Sequence, residues 1–317
     1  GDTLLETLPT PGTIVSRTQR EDLGVTELTL SNGVSVWLKA TDFKSDELIL
    51  TAISQGGLSW YSDSDFVSAA ATIPVAERSG LGRFNPSELG KFLSGRRAST
   101  GIHIGKFYDQ IDGWASPKEL ETMLQLVVLE MGQRRFTQHG LDKYKLDFTQ
   151  DRQERDADPF SIFPKTFMKL LWGDGIRNRQ LEIAEIEQIK LEKLSEIYQQ
   201  RFSDASQFQF LLVGNIDNTQ VEPLIEQYLA SLPSSNSAKK GIGEHIPPRK
   251  FEDANIEIYA DIGDQSRVSL FWHKNMKMEL EKAYHLQALS DILEARLLKQ
   301  LRENMSGVYN VSVNTKG

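Results

Sequence analysis

The sequence predicts an α+β fold in which a mixed or antiparallel sheet packs against helices. Two periodicities carry this prediction: apolar side chains alternate with polar ones along short runs, and elsewhere they recur at helical spacing. The clearest local signal is Asn32-Gly33, which separates two alternating runs within residues 28–38 and is typical of a β-hairpin. With 317 residues, the chain is long for one domain and suits two.

The elements after the hairpin are predicted from the same two periodicities. A β-rich run stops at Gly56-Gly57 and an alanine-rich helix follows it, while Pro86 suits the first turn of the next helix. In order, the predicted elements are a strand at 48–54, a helix at 63–77, a shorter helix within 81–94, and strands at 100–104 and 107–114.

Helices dominate the segment that comes next. Ser116-Pro117-Lys118-Glu119 has the spacing of a capping box with proline at the first helical position. Apolar residues from Leu120 to Met131 then recur on one helical face. The further predictions are a helix over 141–167 that breaks near Asp158-Pro159, one or two charged helices over 181–202, a strand at 208–216, and a helix with Asn218 as its N-cap.

A linker and a second domain are predicted in the last part of the chain. Residues 233–252 are rich in Ser, Lys, Gly and Pro and have no hydrophobic period, which is typical of a linker. The elements predicted beyond it are strands at 256–259 and 267–273, a long helix at 279–302 and a strand at 309–313. This order repeats the order at the start of the chain and therefore indicates an internal duplication.

The duplication sets the predicted domain organisation. The expected parts are an extended lead-in at 1–22, a first domain at 23–232, the linker at 233–252 and a second, truncated domain at 253–317. The second copy stops before the later strands and helices of the first, and a sheet without them would leave an edge and an apolar face open. We therefore expect the natural protein to continue beyond Gly317.

Composition excludes several classes of protein and of site. The net charge of −8, from 36 basic and 44 acidic residues, argues against broad binding to nucleic acid. The absence of cysteine excludes disulfides, thiolate metal sites and cysteine nucleophiles. No apolar run approaches the roughly 18 residues of a membrane span.

Motifs for metal binding and for nucleophilic catalysis are absent from the sequence. No two of the five histidines lie within one helical turn, so H-x-x-E-H and H-x-x-x-H pairs do not occur. We expect each histidine to be structural; they are His103, His139, His245, His273 and His285. G-x-S-x-G and the P-loop pattern are missing too.

One pair of residues near the C-terminus could act on a peptide. Arg302 ends the last predicted helix, and Tyr309 opens the strand that follows a short turn with Gly307. A guanidinium and a phenol both donate hydrogen bonds, and near a scissile carbonyl they would stabilise the charge that develops on its oxygen. The structural alternative is an arginine that the helix dipole favours at a C-terminus and a tyrosine that only begins a strand.

Several segments, taken in order, resemble the pitrilysin/insulinase-type zinc metallopeptidases, the inverzincins. They are similar to the non-catalytic, C-terminal half of the large bacterial members. The segments are the run LTLSNGVSVWLKATDFKSDE that begins at Leu28, Gly56-Gly57-Leu58-Ser59, the run FQFLLVGNID that begins at Phe208, and Leu301-Arg302-Glu303 with Gly307-Val308-Tyr309.

The resemblance implies two halves, each of two homologous domains, that close around a peptide. In this family the N-terminal half holds zinc through H-x-x-E-H and a further glutamate, and the glutamate of the motif is the general base. In this chain the alanine-rich stretch 68–73 stands where that motif would lie, so no metal ligand carries over. Only Arg302 and Tyr309 carry over, as residues that grip the substrate. Zinc is therefore expected in a catalytic partner half, and peptides are the expected substrates.

Two other functions remain compatible with the sequence. Some relatives of the family act as scaffolds or as partner subunits of two-chain processing peptidases, and an unrelated α+β binding protein is the third reading. The reading frames upstream of this segment and beside it would separate these functions. An H-x-x-E-H motif on the same chain supports one long peptidase, and a motif on a neighbouring gene supports a two-chain enzyme. If neither carries the motif, the scaffold is supported. The resemblance to bacterial members also suggests a periplasmic location.

Overall fold

The computed structural model describes residues 3–243, 255–259, 263–264, 266–274, 276–277, 279–306 and 310–315. They belong to two compact units, Gly1–Ile262 and Gly263–Gly317. Each unit is described by itself below. Within the described residues, no helix is both long and apolar enough to cross a membrane.

The first unit is built on a seven-stranded sheet with the order β1-β2-β3-β7-β4-β6-β5. Its strands are β1 (Ile14–Arg20), β2 (Val25–Leu30), β3 (Ser35–Ala40), β4 (Leu48–Gln55), β5 (Ala98–Ile104), β6 (Tyr108–Ala115) and β7 (Gln209–Gly214). All neighbours pair antiparallel except β3 and β7, which are parallel. The predicted α+β class with a mixed sheet is confirmed.

Strand β1 lies within the segment that we predicted only as an extended lead-in. It pairs with β2 along the sheet edge, where Arg17 faces Leu28. Six of its seven residues are exposed, so the strand is held by backbone hydrogen bonds and has no buried side to mark in the sequence. The lead-in also buries Leu4 and Leu5 in the core.

Helices join and cover these strands. They are α1 (Asp63–Ser79), α2 (Pro86–Leu93), α3 (Leu120–Gly132), α4 (Gln138–Ala157), α5 (Ile162–Trp172), α6 (Ile183–Glu187), α7 (Leu191–Phe202) and α8 (Asn218–Leu224). The break that we predicted near Asp158-Pro159 separates α4 from α5, and the predicted helix pair is α6 and α7.

Two predicted helix caps differ from those in the structure. Ser116 makes no side-chain cap, because residues Pro117–Glu119 form a turn of 3₁₀-helix before α3, and the Glu119 carboxylate instead accepts from Thr122 Oγ1 at 2.7 Å. At α8 the capping residue is Asp217 rather than Asn218, since the Asp217 carboxylate accepts from the Thr219 N–H at 3.0 Å.

The main core lies between one face of the sheet and the helices. Alternate side chains of the central strands point into it, among them Leu50, Ile111 and Phe210, all 0% exposed. A second apolar cluster joins α1 with Leu141 and Leu194 and so ties the helices to one another. The sheet is therefore covered by helices on this face.

The other face of the sheet, which we call the open face, carries the alternate side chains of the same strands. Their side chains are half-buried or exposed; along the central strands they are Trp37, Gln209, Leu211, Val213, Ile49, Thr51, Ile53, Tyr108, Gln110, Asp112 and Trp114. The edge strand β5 adds Ser99, Gly101 and His103. Ile49, Ile53 and Tyr108 are exposed.

The described part of the predicted linker is fastened to the first unit. The Asp204 carboxylate accepts from the Ser235 N–H at 3.1 Å, and Gln207 Oε1 accepts from the Lys240 N–H at 2.9 Å. Farther along, the Trp60 Nε1–H donates to the Gly241 carbonyl at 2.7 Å. Residues 233–243 thus follow one defined path, although their composition is typical of a free linker.

The second unit contains helix α9 (Leu280–Leu297), which continues as a π-helical segment, Leu298–Asn304. This confirms the helix predicted at 279–302. The strands predicted at 267–273 and 309–313, and the one at 256–259 at the end of the first unit, are absent among the described residues of these segments. A strand needs a hydrogen-bonded neighbour, so an alternating sequence is not sufficient to form a strand. In the segment 267–273 the apolar side chains of Val268 and Trp272 are 82% and 81% exposed. Tyr309 lies outside the described residues.

Candidate functional site

Helix α1 contains the segment that the family resemblance places at the zinc motif. It packs against α4, α7 and β5. Within the segment Ala69 and Ala71 are buried, and the hydroxyl of buried Thr72 donates to the Ser68 carbonyl at 2.8 Å. Methyl groups and an occupied hydroxyl do not bind zinc, so these residues do not fit the metal.

The start of α1 is held in place by an arginine from a distant loop. Arg177 Nε donates to Asp63 Oδ1 at 2.8 Å, and its Nη1 donates to the Leu58 carbonyl at 2.9 Å. The guanidinium also stacks over the Phe66 ring, with 5.0 Å between its carbon and the ring centroid. Arg177 thus anchors the start of the helix that occupies the place of the family's zinc motif.

The Gly56-Gly57 turn in front of α1 rests on a buried ion pair. Gly57 has φ of +56°, and a Cβ there would lie 2.3 Å from the Gly105 carbonyl oxygen, so only glycine fits. Asp109 Oδ2 accepts from Arg201 Nε at 2.7 Å, and Arg201 Nη2 also donates to the Gln55 carbonyl at 2.8 Å. This pair joins β6, β4 and α7 below the turn.

Burial controls the protonation of this cluster. It raises the pKa of Asp109, and the Arg201 guanidinium opposes that shift by attracting the carboxylate. Burial also raises the pKa of the Tyr61 hydroxyl far above its usual value of 10.0, so that tyrosine stays neutral. Such a cluster stabilises a turn, whereas a catalytic base would need access to substrate.

The described histidines do not form a metal centre. Of the four that the structure describes, His103, His139, His273 and His285 are all exposed; His245 lies outside the described residues. Across the described part of the chain, no three side chains of the His, Asp or Glu type are placed to hold a metal ion. His103 is the one beside a carboxylate, with its Nε2 3.6 Å from Asp112 Oδ2.

Arg302 is exposed near the end of the π-helical segment that follows α9. Its carbonyl accepts from the Ser306 N–H at 3.1 Å, so the helix terminates within the next turn. Because Tyr309 lies outside the described residues, the distance between the two predicted site residues stays untested. Their shared role remains a prediction.

Strand β5 gives the first unit an edge that could receive a peptide. It pairs with β6 on one side and has no strand partner on the other among the described residues. An edge strand presents N–H and C=O groups to which an extended chain can add. The edge runs beside α1, so the family's zinc-motif position and a possible peptide edge are neighbours in this unit.

Sequence reasoning missed the polar residues that the sheet brings together. Asp109 and Arg201 are 92 positions apart, and Asp112 accepts a hydrogen bond from Thr51 of another strand. Local residue spacing therefore predicts neither contact. The one available signal was a charged residue at a position of β6 whose alternate neighbours, such as Ile111, are apolar.

Comparison with known proteins identifies the family. Residues 188–316 match the model described as the peptidase M16 inactive domain. An Arabidopsis thaliana protein described as zinc protease PQQL-like is 31% identical over 71% of this chain. The probable zinc protease PqqL of Haemophilus influenzae is 25% identical over 90% of this chain. The crystal structure of the periplasmic protease PqqL from Escherichia coli matches 98% of the chain with a TM-score of 0.75 and 20% identity.

The chain spans only part of each of these proteins, namely 21% of the Arabidopsis protein, 30% of the Haemophilus protein and 34% of the Escherichia coli chain. The shared fold and the matched region remove the reading as an unrelated α+β binding protein. The chain belongs to the M16, pitrilysin-type family of zinc peptidases, and it carries the inactive domain of that family.

Proposed function

We propose that the chain is the substrate-binding, non-catalytic part of a zinc-dependent peptidase. It completes a peptide chamber, while a half that carries H-x-x-E-H holds zinc and hydrolyses the peptide. That half lies on the same polypeptide or on a separate subunit. The observation that supports the proposal is α1, which keeps an ordered place beside the β5 edge but offers buried alanines where the family has zinc ligands.

Arg302 and Tyr309 are the residues that we propose for gripping the substrate. The exposure of Arg302 near the end of its helix is compatible with contact to a peptide. A guanidinium and a phenol aimed at a scissile carbonyl would act mainly on the transition state, because the charge on the carbonyl oxygen grows there. The periplasmic address of the Escherichia coli relative leads us to propose the same compartment for this protein, which cell fractionation tests.

Two assays on purified protein test the proposed function. The first follows cleavage of a fluorogenic peptide by the chain alone, by its H-x-x-E-H half alone and by the two together, each with zinc and with a chelator. Cleavage is expected only when both halves are present with zinc. Zinc-dependent cleavage by the chain alone would overturn the non-catalytic role.

The second assay measures peptide binding to the chain alone by fluorescence anisotropy of a labelled peptide. Saturable binding is expected, because the proposed surfaces belong to this chain. A chain that binds none of a varied set of peptides, yet is folded by circular dichroism, would show that it has no peptide-binding surface of its own.

A further inference from the structure

Asp112 lies on the open face, on the strand next to the β5 edge. It lies on β6 opposite Thr51 of β4, and the row continues to Leu211 of β7. The next row along the strands places Trp114 beside Ile49, so apolar side chains border the carboxylate. A negative charge thus stands among aliphatic and aromatic groups on the sheet face opposite the core of the first unit.

The Asp112 carboxylate is held in position by its neighbours. Gln110 Nε2 donates to both of its oxygens at 2.8 Å, and Thr51 Oγ1 donates to Oδ1 at 3.3 Å. The side chain nevertheless remains 40% exposed. The amide and hydroxyl donors orient the carboxylate and are themselves neutral, so they supply no positive charge to it.

Two other charged groups on this face are also held by neighbours, and one of them has an arginine as its partner. Glu27 accepts from Arg20 Nη2 at 2.9 Å, and Lys39 Nζ donates to the Leu23 carbonyl at 2.6 Å. No lysine or arginine among the described residues lies within 4.0 Å of the Asp112 carboxylate. Among the described residues, the ion-pair neighbour of this carboxylate is His103, which carries charge only when protonated.

The position on β5 beside this carboxylate has no side chain. Its neighbour on β5 is Gly101, where a Cβ would meet only His103 Nε2, at 3.7 Å. Every other position of that row has a side chain, so glycine leaves a notch bounded by Asp112 and His103. A long aliphatic stem with a cationic end fits such a place, since the stem contacts the apolar neighbours and the end meets the carboxylate.

Asp112 is half-exposed, has no lysine or arginine beside it among the described residues, and adjoins Gly101. From this we propose that Asp112 is a specificity subsite that receives a lysine or arginine side chain of the bound peptide. The inference rests on the proposed peptide-binding function and adds the class of substrate: extended peptides with a basic residue among apolar ones. Acidic peptides are disfavoured, because a second carboxylate at this place would be repelled.

Binding of matched peptides to the 317-residue chain tests this subsite. The probes are labelled seven-residue peptides with lysine, norleucine or glutamate at the centre, between leucine and phenylalanine. The lysine peptide is expected to bind about tenfold more tightly than the norleucine peptide, as charged hydrogen bonds of this kind contribute. In Asp112→Asn that preference should vanish, while binding of the norleucine peptide stays unchanged.

Two further variants sharpen the test. Gly101→Val fills the notch without changing the charge and suits a strand, so it should also remove the preference for lysine. Asp22→Asn is the matched control, since Asp22 is an exposed carboxylate in the turn between β1 and β2. It removes the same charge elsewhere and should leave the preference intact.

The outcomes separate the two proposals. If peptides bind but lysine is preferred equally by the wild-type chain and by Asp112→Asn, or not at all by the wild type, the subsite is wrong and the peptide-binding function stands. If no peptide of any charge binds, the peptide-binding function falls and the subsite with it.

Discussion

Arg201 and Asp109 form an ion pair with almost no contact to solvent: the two side chains are 3% and 0% exposed, and Arg201 Nε lies 2.7 Å from Asp109 Oδ2. The pair connects α7 to β6 under the Gly56-Gly57 turn. Replacement of Arg201 by methionine leaves a buried carboxylate without its counter-charge, which costs about 3–5 kcal/mol of unfolding free energy.

Urea denaturation of the chain measures this loss. Arg17→Met is the control, because the Arg17–Glu222 pair is on the surface and its removal should change the unfolding midpoint little. The double variant Arg201→Met with Asp109→Leu removes both charges and should recover part of the stability. Equal midpoints for Arg201→Met and Arg17→Met would contradict the structural role of the buried pair.

The Gly56-Gly57 turn gives a second prediction. Gly57→Ala forces a side chain into positive φ and against the Gly105 carbonyl, so it should cost more than the roughly 1–2 kcal/mol of a left-handed alanine. Gly95→Ala is the matched control, because Gly95 has φ of +80° but nothing within 4 Å of a Cβ. Thermal unfolding of both variants should show the larger loss at Gly57; the reverse order would contradict the clash.

Stability at alkaline pH gives a third prediction. The buried Tyr228 hydroxyl donates to Glu121 and accepts from Gln125 Nε2 at 2.9 Å. Burial raises the pKa of Tyr228 from 10.0 to about 12; the hydrogen bond from Gln125 opposes this shift and Glu121 adds to it. The contribution of Tyr228 is therefore complete below pH 10 and is lost as the pH rises toward 12, since the unfolded chain releases its proton first.

Urea unfolding midpoints on either side of that window test the sign. The wild-type chain should lose more stability with rising pH than Tyr228→Phe, in which position 228 no longer carries a phenol that ionises. An equal loss in the two proteins would mean that Tyr228 titrates alike in the folded and unfolded chain. An absorbance titration of tyrosinate, taken as the difference between the wild-type chain and Tyr228→Phe, checks the same group.

Substitutions in the complete enzyme address the predicted grip on the substrate. Arg302→Ala and Tyr309→Phe should each lower peptide turnover by roughly 10–1,000-fold, chiefly through lost stabilisation of the transition state. Arg296→Ala serves as the control, because Arg296 is another exposed arginine of the same helix. Full turnover in both site variants would remove the proposed role, as would an equal loss in the control.

Prediction from sequence succeeded where a segment has a buried side. Strand β4 and helix α3 carry their apolar residues at the spacing of their structure, and both were located to within a few positions. Strand β1 was missed because its side chains are exposed and its partner is known only in three dimensions. The error at residues 267–273 is the reverse: the sequence alternates, but the described positions form no strand because they have no paired neighbour.

The candidate site was less accessible to sequence analysis. The stretch 68–73 shows directly that zinc ligands are missing, since side-chain chemistry can be read from residue type alone. Asp112 could not be recognised in this way, because its meaning depends on Gly101 and Thr51 from other strands. The sequence therefore indicated that zinc ligands are missing, whereas the pairing of the strands was needed to find Asp112 on the open face.

The single parallel pair, β3 with β7, has a consequence for how the first unit is made. Val36 faces Phe210 in this pair, and β7 lies between β3 and β4. The strand of this sheet that is synthesised last therefore occupies its centre. Until it arrives, the hairpin β2–β3 and the β4–β6–β5 ladder have no common neighbour. Nascent chains that end before about residue 214 should therefore expose the unpaired edges of β3 and β4 and depend on chaperones. Synthesis of β7 is then the step after which the sheet can form.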